Sequence, residues 1–265
     1  MKIYISADIE GITGVTSWSE TEKGHGDFED FAKQMTREVK AACEGAFETG
    51  ATEVYVKDAH DSATNIDINE LPEYVMLQRG WAGDPMCMVS GLDSSFDAAL
   101  FIGYHSRAGS GDSPLAHTLD TSIDYIKING MYASEFLINA YSAALHGVPV
   151  VFVSGDKGLT KEVQEVNSKI ATLSVKEGIG KSTVSMHPKK SINEIKSIVK
   201  ATLKSDYTLC QITLPETFHV EVAYKEHEMA YRNSFYPGVN LITPKSISYS
   251  TDNYYEVLRM FHFLT

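Results

Sequence analysis

The chain has 265 residues, of which 43% are hydrophobic, and its 23 basic and 35 acidic side chains give a formal net charge of −12. An acidic balance without clustered Lys and Arg argues against binding to a nucleic-acid backbone or to an anionic membrane surface. We therefore expect a small substrate or a protein partner, and a core large enough for one big domain or two unequal ones.

Cysteine use and the N-terminal sequence bear on the cellular compartment. Cys43, Cys87 and Cys210 are odd in number and widely spaced, and no CxxC pair occurs, so neither a disulfide framework nor a thiolate zinc site is predicted. The N-terminal sequence MKIYISADIEG begins with a strand-like alternation and has no signal-peptide pattern. No apolar run approaches the roughly 20 residues that span a bilayer. We expect a cytoplasmic protein.

The first half of the chain alternates strands with helices. Lys2–Asp8 is typical of a strand, and from about Phe28 to Thr49 the apolar residues recur at helical spacing, before Gly50 ends the helix. Glu53–Asp58 is rich in β-branched and aromatic residues and predicts a second strand. Ala98–Tyr104 is an almost unbroken apolar run, as expected of a strand that is buried on both faces.

The alternation continues through the middle of the chain. Ile126–Asn129 predicts a short extra strand, Tyr132–Leu145 a helix and Val148–Ser154 another buried strand. Helical patterns resume at Thr160–Ile170 and Ile192–Leu203. Since alternating strands and helices indicate βαβ units, we predict an α/β fold with a mostly parallel sheet flanked by helices on both faces.

The pattern changes after about His187. Thr217–Tyr224 alternates like a strand with one exposed face, and a Pro237–Gly238 turn, a further strand-like run and an amphipathic C-terminal segment follow. We interpret residues 1–186 as an α/β domain that carries the candidate site described below. Residues 187–265 are interpreted as a smaller α+β portion, which could serve as a lid or as an oligomer contact.

Acidic and imidazole side chains follow three predicted parallel strands where each strand ends. The first strand ends at Asp8 and Glu10, the second at Asp58 and His60, and the third at His105. Ligands of open parallel sheets bind beyond these strand ends, and residues two apart in an extended chain point the same way. Carboxylates with imidazoles suit Zn²⁺, with Mn²⁺, Co²⁺ or Fe²⁺ as alternatives. The pattern alone leaves a metal site and an acid–base site both open.

Two later segments add candidates. Glu135 and Asn139 are four apart on a predicted helix and share a face, among apolar neighbours. A Glu packed into a core must be paired or coordinate a cation, although a position on the polar side of the helix is an equal alternative. His117 lies in the Gly- and Ser-rich loop after His105, where a histidine can serve as a general acid or base.

Six short blocks of sequence resemble the zinc-dependent D-aminopeptidases, a family also described as dipeptide-transport proteins. The blocks are SADIEG at 6–11, KDAH at 57–60, GYHSRAG at 103–109, AHT at 116–118, SEFLINAY at 134–141 and VSGD at 153–156. The resemblance runs from residue 1 to about residue 160 with the same order and nearly the same spacing, and it is weaker beyond that point.

The resemblance implies a site of two zinc ions per subunit and an aminopeptidase activity. The expected reaction is attack of a metal-activated water on the peptide carbonyl of short peptides with an N-terminal D-amino acid. The implied catalytic residue beside the metals is His117, and Asp8 is the expected bridging ligand. The implied metal ligands are Asp8, Glu10, His60, His105 and Glu135.

The resemblance also implies a ring-shaped homo-oligomer around a channel that admits small peptides. In addition, we predict that Asp58 and Asn139 lie in the shell around the metal ligands and orient His60 and Glu135. Two other functions stay open. The same site would serve a metallohydrolase of L-peptides, of γ-linked cell-wall peptides or of another amide, because nothing in the sequence fixes stereochemistry. A non-catalytic cytoplasmic peptide-binding protein could also keep the fold, although it has no need of all six site residues.

Several other motifs are not expected to carry function. Gly178–Thr183 (GIGKST) is not a phosphate-binding loop, because Val175 stands where that pattern requires glycine. No GxGxxG follows the first strand and no GxSxG elbow occurs. The remaining histidines lack partners at ligand spacing; they are His25, His146, His187, His219, His227 and His262.

Overall fold

The structure, a computed structural model, describes residues 1–265. The strands are β1 (Lys2–Ala7), β2 (Glu53–Asp58), β3 (Val75–Gln78), β4 (Ala98–Tyr104), β5 (Ile123–Ile128), β6 (Met131–Tyr132), β7 (Val150–Asp156), β8 (Ala171–Ile179), β9 (Ser182–Ser185), β10 (Phe218–Tyr224), β11 (Asn240–Thr243) and β12 (Ser246–Thr251). The α-helices are α1 (Phe28–Phe47), α2 (Glu135–Leu145), α3 (Lys157–Val166), α4 (Pro188–Leu203), α5 (His227–Asn233) and α6 (Tyr254–Leu264). No helix is both long and apolar enough to cross a membrane.

Seven strands form one sheet, in the order β3-β2-β1-β4-β7-β8-β9. All neighbours pair in parallel except β8 and β9, which form an antiparallel hairpin at one edge. Every residue of β4 and β7 is buried, as expected of central strands in a sheet that helices cover. The predicted α/β fold, with a mostly parallel sheet flanked by helices, is confirmed.

A second sheet is antiparallel and has the order β11-β12-β10-β5-β6. Three of its strands come from the C-terminal part of the chain, whereas β5 and β6 lie between β4 and α2. In addition, α4 packs against α1 of the main body. The second sheet thus joins segments from both sides of residue 187, and the division into residues 1–186 and 187–265 stays a prediction.

The start of α2 differs from the prediction. Residue Tyr132 belongs to the short strand β6, and the helix begins at Glu135. Ser134 caps this helix, because its hydroxyl oxygen accepts a hydrogen bond from Leu137 N at 3.3 Å. Because of this cap, Glu135 is the first residue of the helix. The predicted helix, which began at Tyr132, would have placed Glu135 about one turn inside it.

Three strands of the main sheet were not predicted. They are β3 and the β8–β9 hairpin, whose side chains are mostly half-buried or exposed; β3 and β9 are four residues long, and β8 mixes polar and apolar residues. The segment Gly178–Thr183 lies at the turn of this hairpin, where Ile179 pairs with Ser182. It does not lead from a strand into a helix, which agrees with its exclusion as a phosphate-binding loop.

Two glycines let the ends of β1 and β4 approach each other. Gly11 N donates a hydrogen bond to Gly103 O at 2.8 Å. A Cβ atom on Gly11 would lie 1.7 Å from Tyr104 O, and one on Gly103 would lie 2.3 Å from Asp8 O. Only glycine fits at such distances. The residues that follow these two strands are therefore held side by side.

Candidate metal centre

Five of the predicted site residues converge at the carboxyl edge of the main sheet. Asp8 and Glu10 follow β1, which pairs in parallel with β2 on one side and with β4 on the other. His60 follows β2, His105 follows β4, and Glu135 is the first residue of α2. All five side chains are buried, with exposures between 1% and 7%. Adjacent parallel strands thus bring together residues that are distant in sequence.

Asp8 lies between the two histidines. Its Oδ1 atom is 3.3 Å from His60 Nδ1, and its Oδ2 atom is 3.5 Å from His105 Nε2. His60 Nδ1 is also 3.0 Å from Glu10 Oε2, and His105 Nε2 is 3.2 Å from Glu135 Oε2. Each imidazole therefore faces two carboxylates, and Asp8 presents one oxygen to each imidazole.

The donor atoms fit a metal ion. Glu10 Oε2 and His105 Nε2 are buried and have no hydrogen-bond partner, which is costly for polar atoms in an interior. The potential metal-ligating atoms of Asp8, Glu10 and His105 lie within 4.8 Å of one another, and so do those of His105, His117 and Glu135. Carboxylate oxygens and imidazole nitrogens are the usual non-thiolate ligands of zinc. A bound cation would satisfy the two unpaired atoms.

The electrostatics of the site favour positive charge. Burial, together with the nearby charge of Glu10, raises the pKa of the Asp8 carboxyl well above its ordinary value. Burial alone would lower the pKa of the His105 imidazole, but the surrounding carboxylates, Glu135 foremost, raise it to about 10. Both shifts arise because several carboxylates lie together in a region of low dielectric. A divalent cation supplies the charge that they lack.

Backbone carbonyls orient both imidazoles. His105 Nδ1 lies 2.9 Å from Ser106 O, and His60 Nε2 lies 2.9 Å from Thr21 O. Since a carbonyl oxygen only accepts, these two nitrogens carry the protons and donate. The other nitrogen of each ring is left to face the carboxylates, as in many metal-bound histidines. Thr21 and Ser106 contribute backbone carbonyl oxygens, so the identity of their side chains could not have predicted these contacts.

Asp58 makes its hydrogen bonds to the loop that carries His60 rather than to the His60 imidazole. Its carboxylate accepts hydrogen bonds from Asn65 N at 2.6 Å, from Asn65 Nδ2 at 2.8 Å and from Ile66 N at 2.8 Å. Asn65 Nδ2 also donates to His60 O at 2.7 Å. Asp58 therefore holds the loop that carries His60, and any influence on the imidazole passes through the backbone.

Asn139 is not hydrogen-bonded to Glu135. Its amide donates to Tyr104 OH at 3.1 Å, one turn deeper along α2. The carboxylate of Glu135 accepts instead from Leu119 N, at 2.8 Å to Oε1. The partner of Glu135 is thus a backbone amide of the loop after His117, which spacing along a helix cannot reveal.

Lys176 is a supporting residue that was not predicted. It lies on β8 with 3% exposure, and its ammonium group donates to Glu10 O and to Val15 O, the latter at 2.6 Å. Burial lowers the pKa of Lys176 to about 8. These bonds hold the loop that follows β1, and with it the backbone of Glu10.

His117 borders the metal centre. Its ring stacks on that of His105, with centroids 4.3 Å apart and an interplanar angle of 12°. Its Nδ1 atom lies 2.9 Å from Leu115 O, and its Nε2 atom lies 3.7 Å from Glu135 Oε1. The bond to Leu115 places a proton on Nδ1, so in the neutral ring Nε2 is free to accept a proton.

A cavity of about 760 Å³ opens in front of these residues, which is the size of a small-molecule site. Two tryptophans contribute to its walls. Trp18 contacts the His117 ring edge-on, with centroids 5.3 Å apart. Trp81 Nε1 donates to Asp61 O at 2.6 Å, which fixes its ring beside the His60 loop. The metal centre is therefore accessible from a pocket with aromatic walls.

Comparison with known proteins agrees with this geometry. The family model described as D-aminopeptidase, of peptidase family M55, matches residues 1–263. The chain belongs to the D-aminopeptidase family. The D-aminopeptidase of Bacillus subtilis (strain 168) is 31% identical over 247 residues, which cover 92% of this chain and 88% of that protein. The solved structure of the Zn-dependent D-aminopeptidase DppA from Bacillus subtilis, a self-compartmentalizing protease, matches with a TM-score of 0.94 at 27% identity, covering 100% of this chain and 96% of that chain.

Removal of metal should make the stability of the fold depend on pH. With a folded-state pKa of about 10 against an ordinary 6.5, His105 contributes stability that is fully present below pH 6.5 and lost as the pH rises through 10. The raised pKa of Asp8 acts in the same direction at lower pH. The Tm of chelator-treated protein, measured by circular dichroism, should therefore decrease as the pH is raised from 6.5 to 10. Zinc-loaded protein, whose imidazoles are deprotonated by coordination, should change less. If the Tm of chelator-treated and zinc-loaded protein changed with pH in the same way, these residues would not be the metal site.

Proposed function

We propose that this chain is a zinc-dependent aminopeptidase that releases the N-terminal D-amino acid from short peptides. The convergence of buried carboxylates and imidazoles at one sheet edge carries this proposal, together with membership of the D-aminopeptidase family. We propose two zinc ions per subunit, with Asp8 as the bridge, because its two oxygens face different histidines. The proposed ligands are Asp8, Glu10, His60, His105 and Glu135.

Zinc bound here would polarise the scissile carbonyl and lower the pKa of the attacking water. The residues of the chain supply orientation and proton transfer. In this proposal His117 Nε2 accepts a proton from the water and returns it to the leaving amine; the bond between His117 Nδ1 and Leu115 O supports the role, because it leaves Nε2 free. Trp18 packs against this imidazole and limits its rotation.

Replacement of His117 separates catalysis from metal binding. The variant His117→Ala should lose about 10²- to 10⁴-fold in kcat, the usual contribution of a general acid or base, and should retain its zinc. Metal content by mass spectrometry and peptide turnover would be measured on the same sample. His227→Ala, at an exposed position on α5, is the control. Because donor atoms of His117, His105 and Glu135 lie within 4.8 Å, loss of zinc would show that His117 is a ligand instead. Near-normal turnover with zinc bound would remove its catalytic role.

The stereochemistry of the substrate is tested by amino-acid release from D-Ala-D-Ala and L-Ala-L-Ala. Zinc-loaded and metal-stripped protein would be compared side by side. We expect metal-dependent cleavage of the D-dipeptide alone. Cleavage of the L-dipeptide would move the chain to the alternative metallohydrolase of L-peptides. If a protein shown to hold zinc cleaves neither dipeptide, the proposed function is wrong.

We also propose that the chain forms a homo-oligomer arranged as a ring. Two observations support an assembly. The Bacillus subtilis relative is described as self-compartmentalizing, and large apolar side chains are exposed around α5 and β11, among them Tyr231, Leu241 and Ile242. Exposed apolar surfaces of this kind mark interaction sites. The cytoplasmic location and the lack of nucleic-acid and membrane partners stay predictions.

A further inference from the structure

Outside the proposed metal ligands, the cavity in front of the metal centre is lined by more acidic than basic side chains. Lys225 is the only lysine or arginine among the residues that line it. A short peptide carries an ammonium group at one end and a carboxylate at the other, and acidic side chains attract only the first. Besides the proposed ligands Asp8, Glu10 and Glu135, whose charge bound zinc would neutralise, the lining carboxylates are those of Glu22, Asp61 and Asp120.

Lys225 is held at a defined place in this cavity. It follows β10, and its backbone N donates to Ser122 O at 2.8 Å. Its ammonium group donates to Thr121 O at 2.6 Å, which uses one of the three ammonium protons. No ion pair of the molecule includes Lys225. The group thus has a fixed anchor and two protons available for an anionic ligand.

The loop that anchors Lys225 also contacts the metal centre. Leu119 N donates to Glu135 Oε1, and Thr121 follows Leu119 by two residues. Because consecutive Cα atoms are about 3.8 Å apart, these two Cα atoms are at most about 8 Å apart. Each residue of an extended peptide spans about 3.5 Å. Glu135 and Lys225 are therefore both bonded to the same short stretch of loop, at a separation that a short extended peptide can span.

We propose that Lys225 binds the C-terminal carboxylate of the substrate. The cavity then selects di- and tripeptides with a free C-terminus over C-terminal amides and longer chains. This inference rests on the proposed function and deepens it, since an aminopeptidase as such needs to recognise only the amino end. Contacts at both ends measure the length of the peptide, and Lys225 offsets the repulsion that Glu22, Asp61 and Asp120 exert on its C-terminus.

The test compares D-Ala-D-Ala with D-Ala-D-Ala amide, using zinc-loaded protein. For Lys225→Met we expect KM for the free dipeptide to rise about tenfold, the effect of losing a hydrogen bond between charged groups, with kcat nearly unchanged. KM for the amide should stay as it is in the unaltered protein. Lys225→Arg should keep most of the preference for the free carboxylate. Lys181→Met, at an exposed position in the β8–β9 turn, is the control and should change nothing. Added salt should weaken the preference, because Lys225 is exposed and salt screens the ion pairs of exposed groups.

Four results would overturn the inference. Equal losses on both substrates would show that Lys225 only holds the loop at Thr121. Unchanged KM values for Lys225→Met would show that the ammonium group does not contact substrate. If the unaltered protein cleaves neither compound, the proposed function fails along with the inference. Activity on both compounds without a preference between them overturns the role of Lys225 alone.

Discussion

Asp8, Glu10 and Glu135 place three carboxylates in the interior of the protein, where water hardly reaches them. Like charges at such distances in a low dielectric repel strongly, so this arrangement needs protons or cations to neutralise it. The two imidazoles supply hydrogen bonds and partial compensation, but atoms on both sides remain unpaired. In the proposed function a bound metal ion supplies the missing positive charge, and the free energy of metal binding would then contribute to folding.

The rest of the fold makes this concentration of charge possible. Parallel strands deliver the ligands to one edge, and the contact between Gly11 and Gly103 keeps the ends of β1 and β4 together against the repulsion. Lys176 holds the backbone of Glu10, and Leu119 holds the carboxylate of Glu135. These supports lie on different elements, so the site depends on tertiary packing rather than on any one motif.

The elements and residues that could be predicted are those whose position follows from a local pattern of apolar and polar residues. Buried runs such as β4 are visible as unbroken apolar stretches, and the parallel arrangement then places His105 beside Asp8. The edge strands β3 and β9 are only four residues long, and β8 mixes polar and apolar side chains, so none of the three was predicted. The contact between Lys176 and Glu10 joins residues 166 positions apart, and the partners of Asp58 depend on the path of a loop. No periodicity encodes such contacts, so sequence patterns predict the candidate ligands more readily than the contacts that support them.

The proposed site has two zinc ions between the ends of β1, β2 and β4. Anomalous diffraction at the zinc edge, from crystals of zinc-loaded protein, would locate them. We predict two peaks about 3.5–4 Å apart, with Asp8 in contact with both, His60 beside one and His105 beside the other. A single peak, or zinc bound away from Asp8, would show that the proposed two-zinc site is wrong.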